Sequence, residues 1–256
     1  MNLLRHPILV FVVSMIVLWL FSILGAMFRR RHGDIEADER EDFGFLVASS
    51  LTLLGLIIGF SFSMAIGRYD QRKNLEADEA NKIGTEYIRL DFLPPEDGAR
   101  SRELMLKYVD QRVLFYTAEL EQLPQINATT AQLQKQLWSS VQVPASAKPS
   151  PLTALAVSGM NEVLDSQGYT QAAWWNRIPV AAWCLMTLIA IGCNFLIGYG
   201  AVRAGVRSKI LLILPIVVSI AFCLIADIDS PRGGIIRVRP QNLEIVAQSL
   251  RENSPK

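Results

Sequence analysis

The 256-residue sequence is poor in the side chains that usually carry chemistry: it has two histidines and three cysteines. Cys184, Cys193 and Cys223 all fall inside apolar blocks, where a thiol serves as a small packing residue rather than a metal ligand or disulfide partner. There is no phosphate-cradling glycine loop, no metal-ligand spacing and no His or Ser constellation beside a carboxylate, so no catalytic, cofactor-binding or metal residues are expected. The net charge is only +1, which argues against nucleic acid or another polyanion as partner. Proline is missing throughout Phe43 to Leu93 and returns only at Pro94 and Pro95.

What the chain has is apolar mass gathered in blocks. It is 51% hydrophobic and 19% charged, with a positive mean hydropathy, the composition of a membrane protein. Pro7 to Phe28 carries no charge and ends at Arg29, Arg30 and Arg31. Its apolar core is too long for a signal peptide and has no small-residue cleavage site, so it is expected to be a retained span. The linker to Asp42 holds six acids and is solvated, which makes the first two helices an antiparallel hairpin.

The second apolar block passes without a break into a charged helical pattern. As one helix of about 50 residues it would run roughly 75 Å, more than twice a hydrocarbon core, so it is expected to span the membrane and project from it. Gly55, Gly59, Ser63 and Gly67 recur every four residues and form a stripe of missing side chains, suited to close helix packing or to leaving a pore open. Beside it run Leu56, Phe60 and Met64. In a lone helix they face lipid or a neighbour; in a ring of identical helices they form an apolar constriction that gates by dewetting. From Arg68 onward Tyr69, Ala80, Ile83, Tyr87 and Leu90 mark a packing face, with Arg72, Lys73, Glu76, Glu79, Lys82, Glu86 and Arg89 on other faces.

Helices are expected over 97–123, 129–141 and 152–166, with a loop at 143–151, where three prolines cluster with serines. Trp174 and Trp175 mark an interfacial belt ahead of the third apolar block, 178–200. Asn194, in that block, is expected to bond a neighbouring helix rather than a transported solute. The fourth block, 210–226, is at the lower limit for a span, and Pro215 is placed to kink it. Asp227, Asp229, Pro231 and Gly234 then form a membrane-exit motif, read as a structural turn ahead of a last short helix at 238–250. Seven basic residues lie in the two short loops and nine on the opposite side, so charge asymmetry does not set the orientation.

Leu53-Leu54-Gly55 followed by Tyr69-Asp70 resembles the second transmembrane helix of bestrophins, where Leu-Leu-Gly and Tyr-Asp-Arg-Trp-Trp stand at nearly the same separation. Arg68-Tyr69-Asp70, Glu79-Ala80-Asn81 and Asp227-x-Asp229-x-Pro231-x-x-Gly234 look like the bestrophin-like domain family of prokaryotic membrane proteins, from the first helix to about Leu250. The resemblance implies a homo-oligomer, a pentamer as in bestrophins, with the helical domain in the cytoplasm, a bacterial inner-membrane location, and inorganic anions and the lipid bilayer as partners. It also puts Leu56, Phe60 and Met64 at the neck of the pore.

The expected fold is therefore an all-α membrane protein with four transmembrane helices, an extended second helix, and a helical extramembrane domain between helices two and three. The expected divisions are 1–67 (helices one and two), 68–173 (helical domain), 174–227 (helices three and four) and 228–256 (tail). The expected function is an anion-conducting, bestrophin-like channel lined by helix two. The rival is a non-conducting scaffold or sensor that couples the helical domain to the spans. An enzyme is a distant third, resting on Asp227 and Asp229 alone.

Overall fold

A computed structural model describes residues 6–32, 39–201 and 210–252. Among these the regular structure is helical: α1 (Pro7–His32), α2 (Glu39–Arg89), α3 (Pro95–Thr117), α4 (Leu123–Ala147), α5 (Pro151–Trp175), α6 (Val180–Ala201), α7 (Ile213–Asp229) and α8 (Gln241–Glu252). The arginine-rich turn holding Arg203, Arg207 and Lys209, and Asp34, Glu36 and Asp38 of the first linker, lie outside the described residues. The chain divides into two compact units, residues 1–69 with 177–237, and residues 70–176 with 238–256.

In the first unit α1 packs on α6 and α7. Between apolar helices in lipid the hydrophobic effect supplies little drive, so close backbone approach and interhelical hydrogen bonds must hold the seam. Gly25 and Gly198 provide the approach. A Cβ on Gly25 would sit 2.9 Å from the Tyr199 nitrogen, and one on Gly198 would sit 2.7 Å from the Ser22 carbonyl carbon. Between them Ser22 Oγ donates to Asn194 Oδ1 at 3.3 Å, and Asn194 Nδ2 donates to the Ala190 carbonyl at 2.8 Å. Arg29, at the end of α1, is buried over the Tyr199 ring. Leu18, Met186, Ala190, Phe222 and Ile225 fill the interior, with Leu54 and Ala65 contributed by α2.

Among the described residues three helical stretches are long and apolar enough to cross a membrane: Pro7–Arg31, Glu39–Phe92 and Pro151–Ala201. The fourth apolar block forms the 17-residue α7. Pro215 lies in its first turn, where the backbone N–H has no intrahelical acceptor to lose, so the proline is accommodated at the start of the helix.

The second unit is held by water-driven burial. Met105, Tyr108, Val109, Leu137, Val141, Ala156, Met160, Val163, Leu243 and Ala247 are buried with Ala80 and Ile83 of α2 and with Leu90 just after it, at about 1.5–3 kcal/mol for each large apolar side chain. Its helix limits differ from those expected. α4 begins at Leu123, with Pro124 in the first turn where proline is favoured, and continues through Pro144 to Ala147. The expected loop at 143–151 shrinks to Lys148–Ser150, because Pro144 sits close to the C-terminal end and Ser150 starts α5 at once. Ser150 Oγ accepts from the Thr153 amide at 3.1 Å and Thr153 Oγ1 accepts from the Ser150 amide at 3.0 Å, a reciprocal capping box. Trp174 does not join an interfacial belt. It is buried edge-on against Phe115 and Tyr116, with ring centres 5.0 and 5.3 Å apart, while Trp175 is exposed.

Candidate functional site

The apolar half of α2 has two faces. Leu54, Ser61 and Ala65, spaced by seven and four residues, are buried in the first unit's interior, and Leu51, Ile57, Ile58, Phe62 and Tyr69 pack beside them. Turning by roughly 100° per residue puts Gly55, Gly59, Ser63 and Gly67 on the far side and Leu56, Phe60 and Met64 along its flank. The latter three are 53%, 61% and 43% exposed, large values for apolar side chains that share one stripe. Gly55, Gly59, Ser63 and Gly67 are exposed as well. A Cβ built on any of those three glycines meets nothing within 4 Å in the chain, in contrast to Gly25 and Gly198. The helix thus presents a smooth groove on the side away from the interior, with a bulky apolar ridge along its edge.

The exit motif follows α7 directly. The Asp227 carboxylate accepts from two successive backbone amides, Ile235 at 2.7 Å and Ile236 at 2.8 Å. Both Asp229 oxygens accept from the Ile178 amide, at 3.1 and 3.2 Å, and Arg68 pairs with Asp229 at 3.7 Å. Gly234 lies against Asp227 so tightly that a Cβ there would come within 2.6 Å of the Asp227 carbonyl oxygen, which requires glycine at that position. Pro231 is buried in the turn, Ser230 Oγ accepts from the Gly233 amide at 3.2 Å, and Arg237 Nε donates to the Gly234 carbonyl at 2.6 Å. The four motif residues therefore build one clamp, which ties the end of α7 to the start of the tail and, through Asp229, to Ile178 just ahead of α6. Beside it a cavity of about 510 Å³ is lined by His6, Ile8, Phe11, Ile220, Leu224 and Ile235, among others, and is almost wholly apolar. No group of three metal-ligating side chains is found among the described residues.

The charged half of α2 corrects the expectation that its charged residues lie on faces other than the packing face. Arg72, Glu76, Glu79 and Glu86 are all buried, on the same inward stripe as Ile83 and Leu90. The partners of Arg72, Glu76 and Glu79 come from three other elements. Arg72 Nε donates to the Ala173 carbonyl of α5 at 3.3 Å. Glu76 accepts from Asn242 Nδ2 at 2.6 Å and from the Leu243 amide at 2.9 Å, in the first turn of α8, where a carboxylate meets the orphan amides and the positive end of the helix dipole. Glu79 forms a forked pair with Arg112 of α3 and accepts from Thr170 Oγ1 at 3.0 Å. Arg112 also lies over the Phe115 ring, 4.7 Å from its centre. Burial alone would lower the Arg112 guanidinium, but Glu79 beside it more than offsets this and holds it above its ordinary value. Burial likewise pushes the Tyr108 and Tyr116 hydroxyls well up, so both stay protonated next to Glu79. Spacing alone contained a signal for this stripe: residues 72, 76, 79, 83, 86 and 90 keep three- and four-residue steps when charge is disregarded.

A continuous helix, mostly apolar at one end and anchored by a buried ion pair at the other, flanked by short apolar helices and a glycine-dependent turn, has the make-up of a helical membrane protein. A family model for the Bestrophin-like domain matches residues 10–243, so the chain belongs to that family. Its fold is similar to that of variants of a bacterial bestrophin homolog from Klebsiella pneumoniae. One has a TM-score of 0.69 at 12% identity, covering 96% of this chain and 99% of that chain; another has 0.66 at 13% identity over the same shares. A structure described only as a membrane protein matches with a TM-score of 0.65 at 13% identity, again over 96% and 99%. No curated protein matches in sequence.

Proposed function

We propose that the chain is the subunit of a homo-oligomeric, anion-conducting channel, with α2 of each copy lining a central pore. The observation that carries this reading is the ridge of Leu56, Phe60 and Met64, which stands exposed along the flank of α2, next to the glycine and serine stripe that faces away from the buried side. Around a symmetry axis such ridges form an apolar neck. A weakly hydrated anion gives up less hydration free energy on entering it than a strongly hydrated ion does. Gly55, Gly59, Ser63 and Gly67 let neighbouring helices approach at the same level. The clamp of Asp227, Asp229, Pro231 and Gly234 fixes where the last span leaves the membrane.

In this arrangement α1, α2, α6 and α7 are the four spans. Residues 1–67 and 174–227 are the membrane parts, 68–173 is the helical domain and 228–256 the tail. The assembly is a pentamer in a bacterial inner membrane, with the helical domain in the cytoplasm. The function needs no catalysis and no cofactor. Family membership and the similar fold support the reading.

Purified protein reconstituted in planar bilayers is expected to pass halide currents, and Phe60→Ala is expected to raise them by widening the neck. A silent bilayer together with a monomeric particle in detergent would return the chain to the alternative, a scaffold or sensor that does not conduct.

A further inference from the structure

Glu86 is wholly buried on the inward stripe of α2. Unlike Glu76 and Glu79, neither of its carboxyl oxygens has a hydrogen-bond partner among the described residues. Gly159 of α5 sits directly against it: a Cβ there would overlap Glu86 Oε2 and would lie 2.6 Å from Arg89 Nη1. α5 is therefore seated on this carboxyl through the one residue type that leaves room for it. An ionised carboxylate is strongly disfavoured in such a place, because no donor replaces the water it has lost, whereas the neutral acid is tolerated.

We propose that Glu86 is a proton-binding site of the helical unit: α5 closes over it with the uptake of one proton, which makes the α2–α5 contact a pH-sensing joint.

The charges around the site fit a single titrating group. From α2, Arg89 reaches toward it, and Lys82, one turn earlier, is paired with Asp78 at 2.8 Å. From α5 comes Glu162, and on the short turn Leu90–Phe92, which packs on α5, Asp91 is engaged by Arg102. Burial pushes the Glu86 carboxyl from its ordinary 4.5 up to about 8, with Arg89 pulling it down and Glu162 pushing it further up. The direction of the pH dependence follows. Above about pH 4.5 the opened unit releases a proton that the closed unit keeps. Closure is therefore fully supported below that pH, weakens as the pH rises, and has lost this support once the pH passes about 8.

The test is hydrogen exchange on the full-length protein in detergent, followed over 153–166 from pH 5.5 to 9.5 and corrected for intrinsic exchange. The wild type is expected to lose protection about tenfold per pH unit and to level off near pH 8, as release of one proton requires. Glu86→Gln, which keeps the shape of the neutral acid, is expected to show no slope. Should that variant fold poorly, two others still decide: Arg89→Gln should move the levelling point up and Glu162→Gln should move it down. A wild type with flat protection, a Glu86→Gln variant that keeps the wild-type slope, or a levelling point that neither neighbour moves would each overturn the proposal.

Discussion

The pair Glu79–Arg112 offers the sharpest test of how the helical unit is held together. Both side chains are fully buried, and each is matched in shape and charge by the other. Glu79→Gln keeps the volume but leaves a guanidinium buried without its counter-charge. Breaking a buried pair from one side costs about 3–5 kcal/mol. At about 2–4 °C per kcal/mol, Tm should fall by roughly 6–20 °C. Replacing both members, Glu79→Leu with Arg112→Met, removes the uncompensated charge. Only the Thr170 hydroxyl loses an acceptor, a loss of about 1 kcal/mol, so the double variant should recover most of the lost Tm. Near-ultraviolet circular dichroism on heating provides the readout, because Trp174 packs on Phe115, which in turn lies under Arg112. The reasoning is refuted if Glu79→Gln shifts Tm by less than about 2 °C, or if the double variant is no more stable than the single one.

Two further outcomes test the membrane unit. Gly25→Leu should break the α1–α6 seam, since even a Cβ there runs into the backbone of α6, and the variant should lose the folded monodisperse peak in gel filtration while Gly55→Ala, with nothing within 4 Å, keeps it. Asp227→Ala strips the Ile235 and Ile236 amides of their acceptor, at about 1–3 kcal/mol for each group left unsatisfied. The tail should then be cut faster by trypsin at Arg237, and equal cutting rates would contradict the clamp.

The elements legible in the sequence were those whose signal is local. The apolar blocks became α1, α6, α7 and the first half of α2, because a run of apolar side chains needs no partner to declare itself. The proline-free stretch from Phe43 became a single helix to Arg89 for the same reason. What stayed hidden depended on partners distant in the chain. Arg72, Glu76, Glu79 and Glu86 were expected off the packing face because charge seldom marks a buried stripe. Three of them are inward because the Ala173 carbonyl, the first turn of α8 and Arg112 lie 101, 167 and 33 residues away to receive them. Trp174 misled in a similar way: its position ahead of an apolar block suggested an interface, but Phe115 and Tyr116 bury it. At α4, three clustered prolines suggested a loop, yet a proline one turn from a helix end removes little, and the chain turned only at Ser150. In the candidate site, the two stripes on α2 were visible from spacing. That they share the exposed face was not, because the burial of Leu54, Ser61 and Ala65 depends on the other helices.

The central claim, that the exposed ridge of α2 lines an ion pathway, is tested most directly by placing a thiol on it and watching the current. With Cys184, Cys193 and Cys223 replaced by serine, Phe60→Cys should give a halide conductance that falls when a charged, water-soluble thiol reagent is added. Ile8→Cys, more exposed still but on α1, should give a current the reagent leaves unchanged. A conductance indifferent to modification at Phe60, and at Leu56 and Met64 in turn, would contradict the account.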